Sequence, residues 1–473
     1  MIKKLNHSLV KNLLNKTIKN YYKNHQTKLQ LIAIFGSVGK SSQTKTIAQL
    51  FSNGGYKVLT TNKNTVNGIG MLLTSFETSF ESRFGFFKKI QFLIVLIYHN
   101  IFFKLDLPYN SILVLEVGFD HQGEANDFLS LFSGILDIAI ITALTDEHNL
   151  NYSDLLNIQD LQKIKEYLPQ ELANNLENNN LANSTKNVII EMLKPIIEAK
   201  KSYIPRAINQ LTNEIYIKTN KGTEELYNPE FEFKDNFLSI EGIKVDSNYL
   251  LPKTFAKTLG VLIALSKDFK INKTILEKTI TSLDLPKGRF SKLSGKENTT
   301  IIDSSYNSDP DSVFGFLESI EEELFNQNDS EFNFVKHNII LGEMRELGNI
   351  NKAKHCEVLD KLLILKANNK DKIENIILLG SSWAECDETG ITKEDQGKFF
   401  ITYNKVLFVQ YLKVSKIVEF YNSNLRPHSW FWIKGSQNTI FLEVLVESLL
   451  ANKEDKKLLC RQEKRWFEAR KGW

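Results

Sequence analysis

The sequence predicts an α/β protein with two sheet-bearing units, a phosphate-binding unit on a parallel sheet and then a Rossmann-like α/β unit. Three observations predict it. Short apolar runs alternate with helical periodicity along most of the 473 residues, which is the pattern of a parallel sheet covered on both faces. Strand, glycine turn and helix follow one another in LIAIFGSVGKSSQTKTIAQLF, Leu31 to Phe51. After the break at Pro286-Lys287-Gly288-Arg289-Phe290, a fresh series of strand candidates begins.

Taken in order, residues 1–30 carry seven lysines and no acid, with Leu5, Leu9, Leu13 and Ile18 at helical spacing. They lack the apolar core of a secretion signal. Leu31–Phe35 reads as a buried strand, and Thr44, Ile47, Ala48 and Phe51 mark one face of the helix that follows. Lys57–Thr61 is a second strand. Residues 84–107 hold the apolar run Phe92–Tyr98, split from Ile101–Phe103 by His99 and Asn100 and flanked by lysines. The run is too short for a membrane span, so a buried or lid helix is the plain reading and an interfacial helix the alternative. Ser111–Gly118 and Asp137–Leu144 are further buried strands. Residues 151–185, rich in Asn, Gln and Leu, read as a loosely constrained insertion. Residues 214–250 show short strand-like alternation, and Lys253–Lys267 and Asn272–Ser282 read as helices. In the second unit, strands are expected at Thr300–Asp303, His337–Leu341, Ile376–Gly380, Lys405–Val409 and Phe431–Lys434.

Composition sets the outer limits. Apolar residues make up 42% and charged residues 24% of the chain, as in ordinary globular proteins. The net charge of +3 is too small to point to nucleic acid. The three cysteines, Cys356, Cys386 and Cys460, lack metal-ligand spacing and read as reduced thiols of a cytoplasmic protein.

Chemistry concentrates at strand ends. In Gly36-Ser37-Val38-Gly39-Lys40-Ser41-Ser42 the glycines let backbone N–H groups approach phosphate oxygens in front of a helix N-terminus. Lys40 would neutralise the terminal phosphates and the Ser41 hydroxyl would meet Mg²⁺. Ile34 stands where a P-loop usually has its first glycine, so a glycine turn with a solvated lysine is the plainer alternative. Glu116, at the end of its strand, is a candidate cation ligand or a surface acid. His121 and Glu124 follow it, as loop or as helix start. His148, just past the next strand, is a candidate metal or substrate contact or a structural histidine. Asp303 to Ser312 (DSSYNSDPDS) clusters polar groups at a strand end, where an Asx turn is the simple account. Lys434-Gly435-Ser436 ends the last strand, as an anion turn or a helix cap. Ligands of open α/β sheets bind at the carboxyl ends of strands, and Lys40, Glu116 and His148 share that placement.

Together these segments resemble the Mur ligases, most closely the MurF type. GSVGKSS is similar to the family loop GTNGKT[ST], and residues 64–70 (NTVNGIG) to NxNNxIG. VLEVGFDHQGE and DIAIITALTDEH resemble the family's next two strand ends. PKGR, DSSYNSDPDS, LGEMRELG with His355, and KGSQNTIFLE complete the set in the family's order over about residues 31–450. The resemblance implies a central P-loop ATPase domain over 31–285, with insertions near 84–107 and 151–185. A Rossmann-like C-terminal domain follows over 286–473, after a short basic segment, 1–30, where the family usually carries a UDP-sugar-binding domain.

It also implies ATP-dependent amide formation through an acyl phosphate, most simply adding D-alanyl-D-alanine to a UDP-N-acetylmuramoyl tripeptide during peptidoglycan precursor synthesis. Gly36 to Ser42, Arg289, Asp303 and Asn307 would meet ATP. Ser41, Glu116 and His148 would hold Mg²⁺, two ions in all. Lys40, His148 and a carbamate on Lys200, in IIEAKKS, would serve catalysis. Asn64, Asn67, His121, Lys434 and Ser436 would hold the substrates, and closure of the two domains would exclude water.

Small-molecule partners, a monomer, a cytoplasmic location and weak contact with the inner membrane surface complete the expectation. The sequence departs from the family at Ala143 and Gln437, where Asn and Arg are usual. A folate, γ-glutamyl-polymer or cyanophycin-type ligase, or a non-catalytic ATP-binding assembly protein, therefore stays open as an alternative.

Overall fold

The computed structural model describes residues 29–60, 110–119, 121–132, 134–144, 152–177, 181–208, 214–219, 224–234, 237–245, 249–252, 255–326, 335–345, 347–388, 393–395, 398–435 and 440–470. The chain divides into two compact units, Met1–Glu230 with Ala256–Asp284, and Phe231–Phe255 with Leu285–Trp473.

The first unit contains β1 (Leu29–Phe35), α1 (Lys40–Asn53), β2 (Lys57–Thr60), β3 (Ser111–Glu116), α2 (Glu124–Phe132) and β4 (Ile138–Ile141). Next come α3 (Ile158–Lys165), α4 (Gln170–Glu177), α5 (Asn183–Leu193), β5 (Lys201–Pro205), β6 (Ile215–Thr219) and β7 (Glu224–Tyr227). The sheet order is β2-β3-β1-β4-β5-β6-β7. Strands β2 to β5 run parallel with β1 at the centre, and β6 and β7 add an antiparallel edge. Every residue of β3 and β4 is buried, as expected of strands covered on both faces.

Residues 151–185 are better ordered than their composition suggested. Leu161, Ile164, Leu168, Leu172 and Leu176 are all buried in the first unit's core, so spacings of three and four carry α3 and α4 in spite of the many amides. The later helices α6 (Phe255–Asp268) and α7 (Lys273–Thr281) pack back on α1. Gln43 Nε2 donates to Thr258 O at 3.3 Å, and Asn53 Nδ2 to Thr279 Oγ1 at 2.9 Å.

The second unit differs from the expected boundary in one respect: residues 231–255 belong to it. They form β8 (Phe231–Lys234), β9 (Phe237–Ile240) and β10 (Ile243–Lys244), a small antiparallel sheet. The Leu250 N–H donates to Phe290 O at 3.1 Å, and Tyr249 bridges to Ser291. These backbone bonds fasten the segment to the start of the large sheet.

That sheet is built from β11 (Ser291–Ser294), β12 (Thr300–Ser304), β13 (His337–Gly342), β14 (Ile373–Leu379), β15 (Lys393–Asp395), β16 (Lys398–Tyr403), β17 (Val406–Tyr411) and β18 (Trp430–Lys434). Their order is β11-β12-β18-β13-β14-β17-β16-β15. The middle five are parallel. Alternate residues feed two cores, as the two-residue period of a strand requires. Ile302, Ile339, Leu341, Leu378 and Trp432 face α8 (Pro310–Asn326) and α9 (Asn351–Asn368). Ile301, Ile340, Leu379, Phe431 and Ile433 face α10 (Val414–Asn424) and α11 (Glu443–Leu449). A last helix, α12 (Lys464–Ala469), lies in the C-terminal tail.

Two expectations about thiols and membranes end differently. Cys356 on α9 and Cys386 on the 3-10 turn Ser382–Cys386 form a disulfide, with Cα atoms 5.7 Å apart. This corrects the reading of three reduced thiols: α9 packs on that turn, a proximity that a separation of 30 residues hides. Cys460 is free and buried. Most of the basic segment 1–30, and the apolar run 84–107, lie outside the described residues. No described helix is long and apolar enough to cross a membrane.

Candidate functional site

The strand–turn–helix of the first unit folds as a cradle at the carboxyl ends of β1, β3 and β4. Gly36 has φ +121° and Gly39 φ +88°, backbone that L side chains rarely adopt. A Cβ on Gly36 would stand 2.4 Å from Thr142 Oγ1 and 2.8 Å from Ala143 N, so the loop can pass the end of β4 only as glycine. Three further contacts fasten it there. Ser37 N–H and Oγ–H donate to Ala143 O at 3.2 and 3.3 Å, and the Thr142 hydroxyl reaches Val38 O at 2.6 Å.

Gly39 then ends the loop in the left-handed region at the N-cap of α1, with no side chain capping the helix. A helix cannot satisfy its own first N–H groups, and these are the groups a phosphate takes up. The cradle holds two side-chain charges. Lys40 Nζ donates to Gly36 O at 2.7 Å and to Ser37 O at 2.9 Å, which holds the ammonium against its own loop. From the next strand, the nearly buried Glu116 accepts a hydrogen bond from Ser41 Oγ at 2.7 Å. Two oxygen ligands this close suit a hard cation. Mg²⁺ commonly takes one carboxylate, one hydroxyl, phosphate oxygens and water.

Other expected residues fall elsewhere. Ser42 is buried in the first turn of α1. His121 is exposed in the turn before α2, where its N–H meets Glu124 Oε2 at 3.1 Å. Asn64, Asn67, His148 and Ser436 lie outside the described residues.

Lys200 is a correction. Its Nζ pairs with Asp137 Oδ1 at 2.6 Å, with the lysine side chain 61% exposed. The other Asp137 oxygen accepts from Leu31 N–H at 2.8 Å, at the amino end of the sheet. Five residues of β1 separate that end from Gly36, on the order of 15 Å at strand rise. Lys201 is turned aside as well, in an ion pair with Asp268. Sequence pattern located the lysines but not the end of the strand they occupy.

In the second unit the expected residues gather around the loop after β12. Asp303 is fully buried. Its Oδ1 accepts from Ser305 N–H at 2.9 Å, and its Oδ2 has no hydrogen-bond partner among the described residues. Burial pushes its carboxyl up to about 6. Tyr306 sits between two guanidinium groups, Arg289 at 4.8 Å and Arg461 at 5.2 Å from its ring centre, a cation–π arrangement. Lys434, nearly buried at the end of β18, donates to Asn307 O. His355 holds the loop after β13, accepting from Met344 N–H at 3.0 Å while its other nitrogen lies 2.8 Å from Asn351 O. Burial lowers its basicity. Glu443, the last residue of KGSQNTIFLE, belongs to this cluster. So does Arg461, which the sequence did not disclose, since no spacing connects it to residues near 305.

No family model matches the chain. A curated relative, UDP-N-acetylmuramoyl-tripeptide–D-alanyl-D-alanine ligase of Rickettsia prowazekii (strain Madrid E), is 23% identical over 346 residues, 72% of this chain. The match spans 65% of that relative, slightly under two thirds of its length. Among solved structures, MurF from Acinetobacter baumannii aligns at TM-score 0.54 and 15% identity over 93% of this chain and 80% of that one. MurF ligase from Thermotoga maritima, solved in complex with ADP, aligns at 0.52 and 13% identity over 94% and 84%. The chain therefore has the fold of the MurF-type Mur ligases, as its motifs implied.

Proposed function

We propose that this chain is an ATP-dependent carboxylate–amine ligase of the Mur type, adding D-alanyl-D-alanine to a UDP-N-acetylmuramoyl tripeptide. The observation that carries the reading is the 2.7 Å contact between Ser41 and Glu116 beside Lys40, at the mouth of a glycine cradle fastened to β4. A glycine turn with a solvated lysine needs neither the carboxylate nor the fastening. The curated relative's name supplies the substrate pair.

The chemistry has one obstacle. A carboxylate is a poor electrophile and repels the anion it must attack. In the proposed reaction the acceptor carboxylate attacks the γ-phosphorus of ATP and ADP leaves. The neutral amine then attacks the acyl carbon of the acyl phosphate, phosphate leaves with the bonding pair, and the nitrogen gives up one proton, which the departing phosphate or solvent takes. Lys40 would exchange the carbonyls of Gly36 and Ser37 for phosphate oxygens and offset their charge where it grows, in a site of low dielectric. Backbone N–H groups at the start of α1 would orient the phosphates. Mg²⁺ on Ser41 and Glu116 would supply further positive charge to the phosphates.

Asp303, Asn307 and Arg289 are assigned to nucleotide contact by resemblance, and Lys434 to the carboxylate of the incoming amine. The carbamate expected on Lys200 is not proposed, because Lys200 pairs with Asp137 at the amino end of the sheet. The test is a screen for ADP release with candidate acceptors and amines. The reading requires release that depends on both D-alanyl-D-alanine and the tripeptide acceptor. Release with a folate or glutamate pair would move the chain to another ligase type. ATP binding without turnover on any pair would favour an assembly protein.

A further inference from the structure

The second unit carries an arginine that the family motifs do not contain, paired with the glutamate that closes KGSQNTIFLE. The tail after α11 turns back, and at Arg461 its backbone enters the left-handed region, φ +54°. That conformation is strained for a non-glycine residue, and here it coincides with a side chain aimed inward. The Arg461 side chain is 3% exposed. One guanidinium nitrogen donates to Ser305 O at 3.3 Å and the other to Tyr306 O. Its face lies over the Tyr306 ring.

The charge is balanced by the fully buried Glu443, whose two oxygens are shared between Arg461 at 3.3 Å and Arg470 at 2.8 Å. Arg470 also donates to Arg461 O at 2.6 Å, which locks the tail's turn. A buried ion network of this kind is a poor source of stability. Apolar residues of similar volume commonly fill such space at no loss. What the guanidinium adds is a rigid fork of donors on two consecutive carbonyls, Ser305 and Tyr306.

Those peptides join Asp303 to Asn307. The same stretch is gripped from its other sides. Tyr306 N–H donates to Gly288 O at 3.2 Å. A Cβ on Gly435 would lie 2.6 Å from Ser305 O. Asn307 O receives Lys434 Nζ.

We propose that Arg461 is a positioning residue that fixes the Ser304–Asn307 loop, and through it the placement of Asn307 and Lys434 toward substrate. The functional half of this proposal rests on the ligase reading, whereas the loop half does not. The full-length chain is tested as Arg461→Ala and Arg461→Lys, by amide hydrogen exchange over residues 303–309 and by ligation kinetics with the amine varied. Arg461→Ala should speed exchange locally, leaving β13 and β14 protected, and lower kcat/KM for the amine by about 10- to 100-fold, as small misplacements do. Arg461→Lys, which can reach one carbonyl but not both, should fall between. Arg470→Ala frees the tail's turn but removes no donor to the loop, so exchange over 303–309 should rise less than in Arg461→Lys. If Arg461→Ala does not fold, the Lys and Arg470 variants still decide.

Exchange over 303–309 unchanged in Arg461→Lys, or increased equally across the whole unit, overturns the proposal. Local loosening with full kcat/KM overturns its functional half. A wild-type chain that releases no ADP with any pair removes the ligase reading, and the exchange result still judges the loop.

Discussion

In the first unit, the four residues Gly36 to Gly39 are held by the end of a neighbouring strand and need only glycine, Thr142 and Ala143 to keep their shape. In the second unit, the loop Ser304–Asn307 is held by a guanidinium from 156 positions downstream of Ser305. One site is made of backbone and a short local pattern, the other of buried charge brought together by the tail. The first therefore exposes its working side chain, Lys40, to a direct deletion. The second spreads its function over a network in which any single loss is also felt by its neighbours.

The largest effect should come from the cradle. Lys40→Ala should lower ADP release by about 10²–10³-fold, the usual cost of losing one preorganised charge contact to a transition state. Its melting curve should stay near that of the wild type, since among the described residues the Lys40 ammonium is bonded to the carbonyls of its own loop. A deep loss of fold in this variant would show that the cradle, too, depends on its charge for shape.

The next effect separates the units by stability. The Cys356–Cys386 disulfide lies wholly in the second unit, and closing a loop of this size is worth roughly 2–4 kcal/mol. Cys386→Ser, or reductant added to the wild type, should lower the melting transition of the second unit while leaving nucleotide binding at the cradle unchanged. Coincident loss of both would show that the units do not melt separately.

A third, smaller effect is on pH. Asp303 is raised from 3.8 to about 6 by burial, so the native state binds its proton more tightly than the unfolded chain. Its contribution is present below pH 4 and is lost as pH rises through 6. His337 is lowered from 6.5 to about 3, by burial and then by Lys372. Its contribution is present above pH 6.5 and is lost as pH falls toward 3. The two oppose each other between pH 4 and 6, each on the order of a few kcal/mol. Denaturant midpoints from pH 4 to 8 should separate them: Asp303→Asn should remove the loss on raising pH, and His337→Gln the loss on lowering it.

What was legible in the sequence follows the same division. The cradle could be read because its strand, glycines, lysine and helix are contiguous and each needs a particular residue type. The parallel strands could be read because apolar runs such as Ser111–Glu116 have no polar face. The register of β5 could not be read from IIEAKK, so Lys200 was expected at the site although it sits at the far end of the sheet. Amide-rich composition masked the apolar spacing of α3 and α4. The pairing of Arg461 and Arg470 with Glu443 could not be read, although Glu443 itself ends KGSQNTIFLE, because contacts between distant residues leave no periodicity. The smallest expected effect tests the Lys200 correction: Lys200→Ala should cost no more than about 1 kcal/mol, as exposed ion pairs do, and leave ADP release unchanged. A large loss of turnover would return Lys200 to the site.

The central claim, that this chain activates a carboxylate through an acyl phosphate, is tested most directly by oxygen transfer. The acceptor is supplied with ¹⁸O in its carboxylate, and the phosphate released during ligation is analysed by mass spectrometry. The account predicts one ¹⁸O atom in each phosphate released, and about 10²–10³-fold less labelled phosphate from Lys40→Ala over the same time. Unlabelled phosphate from an active wild-type chain, with the ¹⁸O lost from the carboxylate recovered in water, would contradict it.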